Sequence, residues 1–156
     1  MPRPRAAQPL ITPVQEEAWF ALLYAHALVT DRIEKILLER HGISFSSFEI
    51  VCRLIDREPQ PVRALSAQLV SVSPTRASRL MQELVDSGRL RRGADQSDGR
   101  VSLVSLTEEG RSWASGVSRT FEEAVREHFV MALDPEDLAA LTRIWEKLSK
   151  GCPSQA

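Results

Sequence analysis

Residues 71–88 read SVSPTRASRLMQELVDSG, and this stretch decides the fold class. Ser73 can cap the first turn of a helix, Pro74 suits the first helical position, and Gly88 provides a stop. The apolar residues recur at the three- and four-residue spacing of one helix face: Ala77, Leu80, Met81 and Leu84. The pattern predicts an amphipathic helix over residues 74–87.

A short helix is predicted immediately before this one. Over residues 62–70, Leu65 and Leu69 point to the same side, and the turn 71–73 joins the two helices without a glycine. The small residue Ala77 suits the close crossing of two such helices. The arrangement predicts a helix-turn-helix.

The hydrophobic period changes after the second helix. Residues 89–92 and 101–106 alternate as short strands do, and the polar turn 94–99 lies between them. A hairpin that directly follows a helix-turn-helix makes the motif winged. We assign residues 43–106 to a winged helix-turn-helix domain.

Long amphipathic helices are predicted on both sides of this domain. Thr12, Pro13 and Gln15 form the pattern of a capping box, and the helix they begin ends at Gly42. Ser44 or Ser46 then starts a second helix, the latter with Glu49 as its capping-box partner. The apolar face of this second helix is predicted to consist of Phe48, Val51, Cys52 and Ile55. The sequence EPQP at 58–61 is predicted to break it.

The C-terminal part continues the helical pattern. Thr107 can cap a helix whose apolar stripe extends through Trp113, Val117, Phe121, Val125, Phe129 and Leu133. Asp134 starts a last helix with an apolar face of Leu138, Leu141, Trp145 and Leu148. The predicted fold class is therefore mainly α with a small β-hairpin wing. A flexible arm is predicted at 1–11, an N-terminal dimerisation helix at 12–42, C-terminal dimerisation helices at 107–150 and a loose tail at 151–156.

The apolar stripes of the flanking helices predict a partner. Burial of apolar surface contributes about 25 cal/mol per Å², so a dozen exposed aliphatic and aromatic side chains are unfavourable in water. A second copy of the chain is the simplest partner that covers them. We therefore expect a homodimer.

The charge distribution favours a nucleic-acid partner although the net charge is only −1. Residues 62–92 contain two acids against six arginines: Arg63, Arg76, Arg79, Arg89, Arg91 and Arg92. A basic region inside an acidic frame is typical of a protein with one face that meets phosphates.

The helix over 74–87 carries residue types that contact DNA. Arginine donates two hydrogen bonds to guanine, glutamine pairs with adenine, and threonine or serine reaches phosphate. The candidate DNA-binding residues are Ser73, Thr75, Arg76, Ser78, Arg79 and Gln82. A solvated helix face is the alternative, and Ser73 is equally well explained as a cap alone.

The predicted wing adds Asp98 and Arg100. An arginine at a hairpin tip can enter the minor groove, where negative potential is concentrated, and a neighbouring carboxylate can orient it. The alternative is an exposed turn with an ion pair that contributes less than about 1 kcal/mol.

The sequence resembles the multiple-antibiotic-resistance regulator (MarR) family at these residues. The segments that carry the resemblance are LRRGADQSDGR at 90–100 with the following strand, LTEEG at 106–110, GIS at 42–44 and ELVDSG at 83–88. The resemblance covers nearly the whole chain. It implies a homodimeric transcription factor, often a repressor, on an inverted-repeat operator in double-stranded DNA, with Arg100 as the wing arginine and Asp98 as its orienting partner.

The resemblance also implies release from DNA by a small ligand, often a phenolic or aromatic anion. Trp19, Tyr24 and His26 are candidates for a ligand pocket, although aromatic residues on an amphipathic helix more often pack at an interface. The alternative function is a helical protein-interaction or ligand-sequestering module with a degenerate winged helix.

Other chemistries find little support in the sequence. No catalytic motif is present, so we expect no enzyme and no cofactor. Cys52 is predicted to be an inert core thiol and Cys152 to lie in the tail. His26, His41 and His128, with Glu123 or Glu127, lack the spacing of zinc ligands. No membrane anchor or secretory signal is recognised, and the expected compartment is the cytoplasm.

Overall fold

The computed structural model describes residues 9–55, 57, 59–95 and 100–151. Helices and strands follow one another as α1 (Pro13–His41), α2 (Phe45–Ile55), β1 (Gln60–Pro61), α3 (Val62–Gln68), α4 (Pro74–Asp86), β2 (Leu90–Ala94), β3 (Ser102–Leu106), α5 (Glu108–His128), a short 3-10 helix (Val130–Ala132) and α6 (Pro135–Gly151). The chain is mainly helical with a small antiparallel sheet, which confirms the predicted fold class.

Local capping sets both ends of α1. The Thr12 amide donates to the Gln15 side-chain oxygen at 2.8 Å, and the Gln15 amide donates to Thr12 Oγ1 at 3.3 Å. Gly42 ends the helix in the left-handed conformation, with φ of 62°, which glycine adopts without steric cost. The predicted capping box and stop are thus confirmed.

The core lies where α2, α3 and α4 meet the sheet. Phe48, Leu65 and Met81 are fully buried there, together with Leu90 and Leu106 of the sheet. Ile33 and Leu37 of α1 join this core from the side because the C-terminal half of α1 packs along α5. The winged domain and the flanking helices therefore share one core.

The sheet contains a third strand that the sequence did not predict. The order is β1-β3-β2, and Gln60 and Pro61 of β1 pair with Val104 and Leu103. We expected residues 58–61 only to break a helix. Proline is compatible with an edge strand because it need not donate to the ladder, and Gln60 fixes this strand by donating to the Arg53 carbonyl at 2.7 Å.

The start and the buried face of α2 differ in part from the prediction. Ser44, not Ser46, caps this helix, because the Ser47 amide donates to Ser44 Oγ at 3.1 Å. Ile50 and Leu54 are fully buried, whereas Ile55 is 44% exposed. Because α2 packs against both α4 and α5, its buried face is wider than the single stripe that the sequence periodicity predicts.

Two predicted helix ends also shift. The helix predicted over 62–70 ends at Gln68, and the stripe predicted through Phe129 and Leu133 leaves α5 at His128. A 3-10 helix follows, and Leu133 lies in the extended link before α6. Asp134 Oδ1 then accepts from the Asp137 amide at 2.9 Å, so the predicted start of the last helix is confirmed.

Several predictions fall outside the described residues. Residues 1–8 of the predicted arm, the wing-tip residues 96–99 with Asp98, and residues 152–156 of the predicted tail with Cys152 are among them. Within the described ranges, no helix combines the length and the apolarity that a membrane crossing requires.

The wing is joined to α5 through a close approach at Gly110. Thr107 caps α5 by accepting from the Gly110 amide at 2.9 Å, and its own hydroxyl donates to the Gly88 carbonyl at 2.7 Å. A Cβ atom on Gly110 would overlap the carbonyl oxygen of Arg89. This backbone contact fixes where β2 leaves α4 relative to α5.

We expect Gly110→Ala to destabilise the chain by about 1–3 kcal/mol because the added methyl group displaces the Arg89 backbone. Chemical denaturation followed by circular dichroism measures the free energy of unfolding. Gly116→Ala is the matched control, since a Cβ atom there meets no atom within 4 Å. Alanine should stabilise α5 by up to about 1 kcal/mol at that position. Equal effects of the two substitutions would contradict the close approach.

Candidate nucleic-acid interface

One side of α4 is fixed against the core and the other faces outward. Ala77, Leu80, Met81 and Leu84 are buried, as predicted. The remaining side chains of the predicted site are all exposed: Thr75, Arg76, Ser78, Arg79 and Gln82. Ser73 is also exposed, and it caps α4 by accepting from the Arg76 amide at 3.5 Å. The structure thus brings these six residues together on one helix and its cap.

Two arginines on α4 are available for an anionic partner. Neither Arg76 nor Arg79 has an ion-pair partner within the described parts of the chain. Gln82 differs, because its side-chain amide donates to Asp86 Oδ1 at 2.8 Å. A base contact by Gln82 therefore requires exchange of this intrahelical hydrogen bond.

A groove of about 670 Å³ runs beside α4 and contains a third arginine. Arg76, Arg79 and Arg89 line it together with Glu83. The Arg89 guanidinium carbon lies 4.1 Å from the centre of the Trp113 ring, a cation–π contact that holds this side chain against α5. Arg89 belongs to the basic region of the sequence, but local spacing did not predict its place in the site because its neighbours in the groove come from distant parts of the chain.

The wing is a hairpin next to α4. Five residues of β2 pair with β3, from Leu90 with Leu106 to Ala94 with Ser102. Arg91 Nε donates to Ser105 Oγ at 3.0 Å, so this arginine lies across the hairpin. Arg100 is exposed just before β3. Its predicted partner Asp98 lies outside the described residues.

The turn that leads into α4 is held by a carboxylate that we did not assign to the site. Glu49 of α2 accepts from the Val70 amide at 2.9 Å, from the Ser71 amide at 3.2 Å and from the Ser71 hydroxyl at 2.7 Å. We predicted Glu49 only as the capping-box partner of Ser46. Since the turn lies more than twenty residues away in sequence, local spacing gave no signal for this contact.

The charge state of Glu49 follows from these contacts. Burial raises the pKa of the Glu49 carboxyl. The hydrogen bonds from the turn and the nearby Arg53 guanidinium act in the opposite direction and prevail, so the pKa lies below its ordinary value. Glu49 is therefore ionised at neutral pH, when the turn needs its acceptors.

The three candidate pocket residues do not line one common groove. His26 borders a groove of about 860 Å³ between α1 and the α3–α4 turn, in which Phe45 and Val70 supply apolar surface. Trp19 and Tyr24 are not among its lining residues. Both are exposed on α1, where Tyr24 stacks with Phe20 at 6.0 Å between ring centres. Tyr24 lies on the opposite side of α1 from His26, and Trp19 lies about two turns closer to the N-terminus of the helix.

The candidate cysteine and histidine side chains contact neighbouring helices. Cys52 is half-buried beside Phe45 and Phe121, whereas we expected a core thiol. His41 Nε2 lies 2.8 Å from Thr120 Oγ1, which ties the end of α1 to α5. Among the residues that the structure describes, no three His, Cys, Asp or Glu side chains are grouped as metal ligands.

Comparisons with solved structures find proteins of the same fold. No family model matches the sequence, and no curated protein matches it. The structure is similar to that of AbsC, a MarR family transcriptional regulator from Streptomyces coelicolor, with 26% identity, coverage of 92% of this chain and 97% of AbsC, and a TM-score of 0.83.

Two further solved structures show the same fold. A second MarR family transcriptional regulator from Streptomyces coelicolor, in complex with DNA, has 22% identity, covers 97% of this chain and 96% of its own, and has a TM-score of 0.86. Bordetella bronchiseptica BpsR, whose DNA binding is regulated by 6-hydroxynicotinic acid, has 18% identity, coverage of 89% and 97%, and a TM-score of 0.76. With its winged helix-turn-helix between long flanking helices and these likenesses over nearly its whole length, the chain has the fold of MarR family transcriptional regulators.

Proposed function

We propose that this protein is a homodimeric, sequence-specific DNA-binding transcriptional regulator, and that it acts as a repressor relieved by a small ligand. The observation that carries the proposal is the outer face of α4. It presents Arg76 and Arg79 without ion-pair partners among the described residues, beside a hairpin wing. A buried inner face and a capped start hold this helix rigidly in place.

The proposed mode of binding follows from the dimensions of DNA. The major groove admits one α-helix, in which Arg76 and Arg79 can donate to guanine or to phosphate. Thr75, Ser73 and Ser78 lie at the N-terminal part of α4, where hydroxyl groups reach phosphates. We propose that Arg100 enters the adjacent minor groove and that Asp98 orients it.

The homodimer is proposed from the flanking helices. None of the side chains that the structure describes in α6 is buried within the chain, and the N-terminal half of α1 is exposed as well. The exposed apolar side chains of these two regions are Val14, Trp19, Phe20, Leu22, Leu23, Tyr24, Leu28, Leu141, Ile144, Trp145 and Leu148. An exposed set of this size supports burial against a second copy. Two copies of α4 then meet half-sites about 10 bp apart in an inverted repeat.

We propose that the ligand that relieves repression binds in the groove beside His26. It lies between α1 and the turn that leads into α4, so a bound molecule could alter the position of α4. Its lining includes the carboxyl groups of Asp31, Glu34 and Glu49 and, among the described residues, no lysine or arginine. Lys35 pairs with Asp31 at 2.9 Å and Arg53 with Glu49 at 3.6 Å, so Glu34 is the lining carboxylate without an ion-pair partner among the described residues. Because like charges repel, the charge of Glu34 favours a neutral or cationic aromatic ligand over the aromatic anion that the resemblance implies.

We expect the protein to bind an inverted repeat upstream of its own gene. Arg76→Ala or Arg79→Ala should weaken this binding by about 1–3 kcal/mol, because each substitution removes a donor to a base or phosphate. Arg100→Ala should weaken binding and reduce the salt dependence by about one phosphate contact. Fluorescence anisotropy over a salt titration with competitor DNA measures both effects.

Arg126→Ala is the matched control for these substitutions. Arg126 lies exposed near the far end of α5, so its removal takes away one positive charge outside the winged domain. If this control lowers operator affinity as much as Arg76→Ala does, the effect comes from net charge and the α4 assignment is wrong. Binding that competitor DNA abolishes would favour an interaction module.

We expect the wild-type protein to sediment at twice the mass of the 17.5 kDa chain. Trp145→Glu should dissociate the dimer because it places a charge on the apolar face of α6, where Trp145 is 67% exposed in the single chain. Analytical ultracentrifugation measures the change. Arg143 lies on the opposite side of α6, so Arg143→Glu should leave the dimer intact. A monomeric wild-type protein would contradict the proposal.

The groove is tested with three small probes of similar size: phenol, benzoate and benzylamine. We expect phenol or benzylamine to release DNA at lower concentration than benzoate, because the lining carboxylates repel an anion. Glu34→Gln, which removes the lining carboxylate that has no ion-pair partner among the described residues, should narrow the difference in releasing concentration. Stronger release by benzoate would show that the effector site lies elsewhere.

A further inference from the structure

The α3–α4 turn is attached to the core at its two ends and exposed between them. Leu69 is buried and Val72 packs against the core, whereas Val70 is 87% exposed. Val70 and Ser71 lie outside both helices, so their amides need acceptors other than a helical ladder. Glu49 provides them.

Glu49 accepts three hydrogen bonds from this turn with a single carboxylate. Oε1 accepts from the Val70 amide at 2.9 Å, and Oε2 accepts from the amide and the hydroxyl of Ser71 at 3.2 and 2.7 Å. The side chain of Glu49 is only 14% exposed, and Arg53 Nη2 lies 3.6 Å from Oε1. Hydrogen bonds to a charged, largely buried acceptor are stronger than those between neutral groups.

The position of this contact in the chain gives it significance for DNA binding. Ser73, which caps α4, follows Ser71 by two residues, so the path of the turn sets the start and the direction of α4. We propose that Glu49 is a positioning residue for DNA recognition, whose carboxylate fixes the α3–α4 turn and thereby holds α4 in its DNA-binding pose. This inference rests on the proposed function of α4.

A positioning role for Glu49 predicts a change in DNA affinity opposite in sign to the one that its charge alone predicts. Removal of a negative charge from a DNA-binding protein ordinarily raises its affinity for the DNA polyanion. Glu49→Gln keeps the size of the side chain but replaces one acceptor oxygen by an NH2 group, which cannot accept from the turn. If Glu49 positions the turn, the loss of this acceptor outweighs the change in charge.

Glu49→Gln is compared with wild type and with Glu122→Gln, an exposed position on α5 that removes the same charge. We expect Glu49→Gln to lower affinity for the upstream operator duplex about tenfold or more at matched salt and neutral pH, the loss typical of a charged hydrogen-bond partner. Glu122→Gln should bind as wild type does or slightly more tightly. Affinity of Glu49→Gln equal to or above that of Glu122→Gln would overturn the proposal.

Hydrogen exchange provides a readout that does not depend on DNA. In Glu49→Gln, the amides of Val70 and Ser71 should exchange about tenfold faster, while the amide of Met81 in the core of α4 keeps its wild-type rate. A general loss of stability would instead accelerate the amide of Met81, which exchanges only when the core opens. Unchanged exchange at Val70 and Ser71, or equal acceleration at Met81, would overturn the positioning role.

These two measurements separate this inference from the proposed function. If wild type binds no DNA specifically, the proposed function fails, and the exchange rates alone report whether Glu49 holds the turn. If wild type binds its operator and Glu49→Gln binds equally well, only the positioning role fails. Ser71→Ala, which removes the hydroxyl donor alone, should give a smaller loss, and its effect should not add to that of Glu49→Gln because both act on one network.

Discussion

The burial of one side of α4 is the constraint on which the rest of the structure depends. Ala77 and Met81 are fully inaccessible, and Ala77 allows close contact at the helix crossing. Since a helix cannot rotate without exposing such a face, the opposite side with Arg76 and Arg79 must point outward. The same packing places the turn before α4 against α2 and the hairpin after it against α5. The geometry of the candidate interface is thus a consequence of core packing.

The two ends of α4 are fixed by backbone groups that side chains from distant elements satisfy. At the N-terminal end, Glu49 of α2 accepts from the turn. Beyond the C-terminal end, Thr107 bonds to the Gly88 carbonyl, and Gly110 allows α5 to approach Arg89. These contacts therefore connect α4 to α2 and α5, the elements through which the flanking helices can influence DNA binding.

The flanking helices divide into a part that the chain buries and a part that it leaves for a partner. The C-terminal half of α1 packs on α5 through Ile33 and Leu37, and His41 and Thr120 join the two helices. The N-terminal half of α1 is exposed, and none of the side chains that the structure describes in α6 is buried, although both regions are rich in apolar residues. A groove beside His26 lies at the boundary between these parts, which makes it a suitable place for a ligand to act on both.

The sequence by itself determined the elements whose signals are local. Caps at Thr12, Ser73 and Thr107, the helical period of α4 and the alternation of the wing predicted the winged helix and the outward arginines, because neighbouring residues alone satisfy these rules. Only the tertiary structure decided that Gln60 begins a third strand, that Glu49 holds the turn, and that His26 lines the groove while Trp19 and Tyr24 do not. These features depend on contacts between residues far apart in the chain, and no local spacing encodes them.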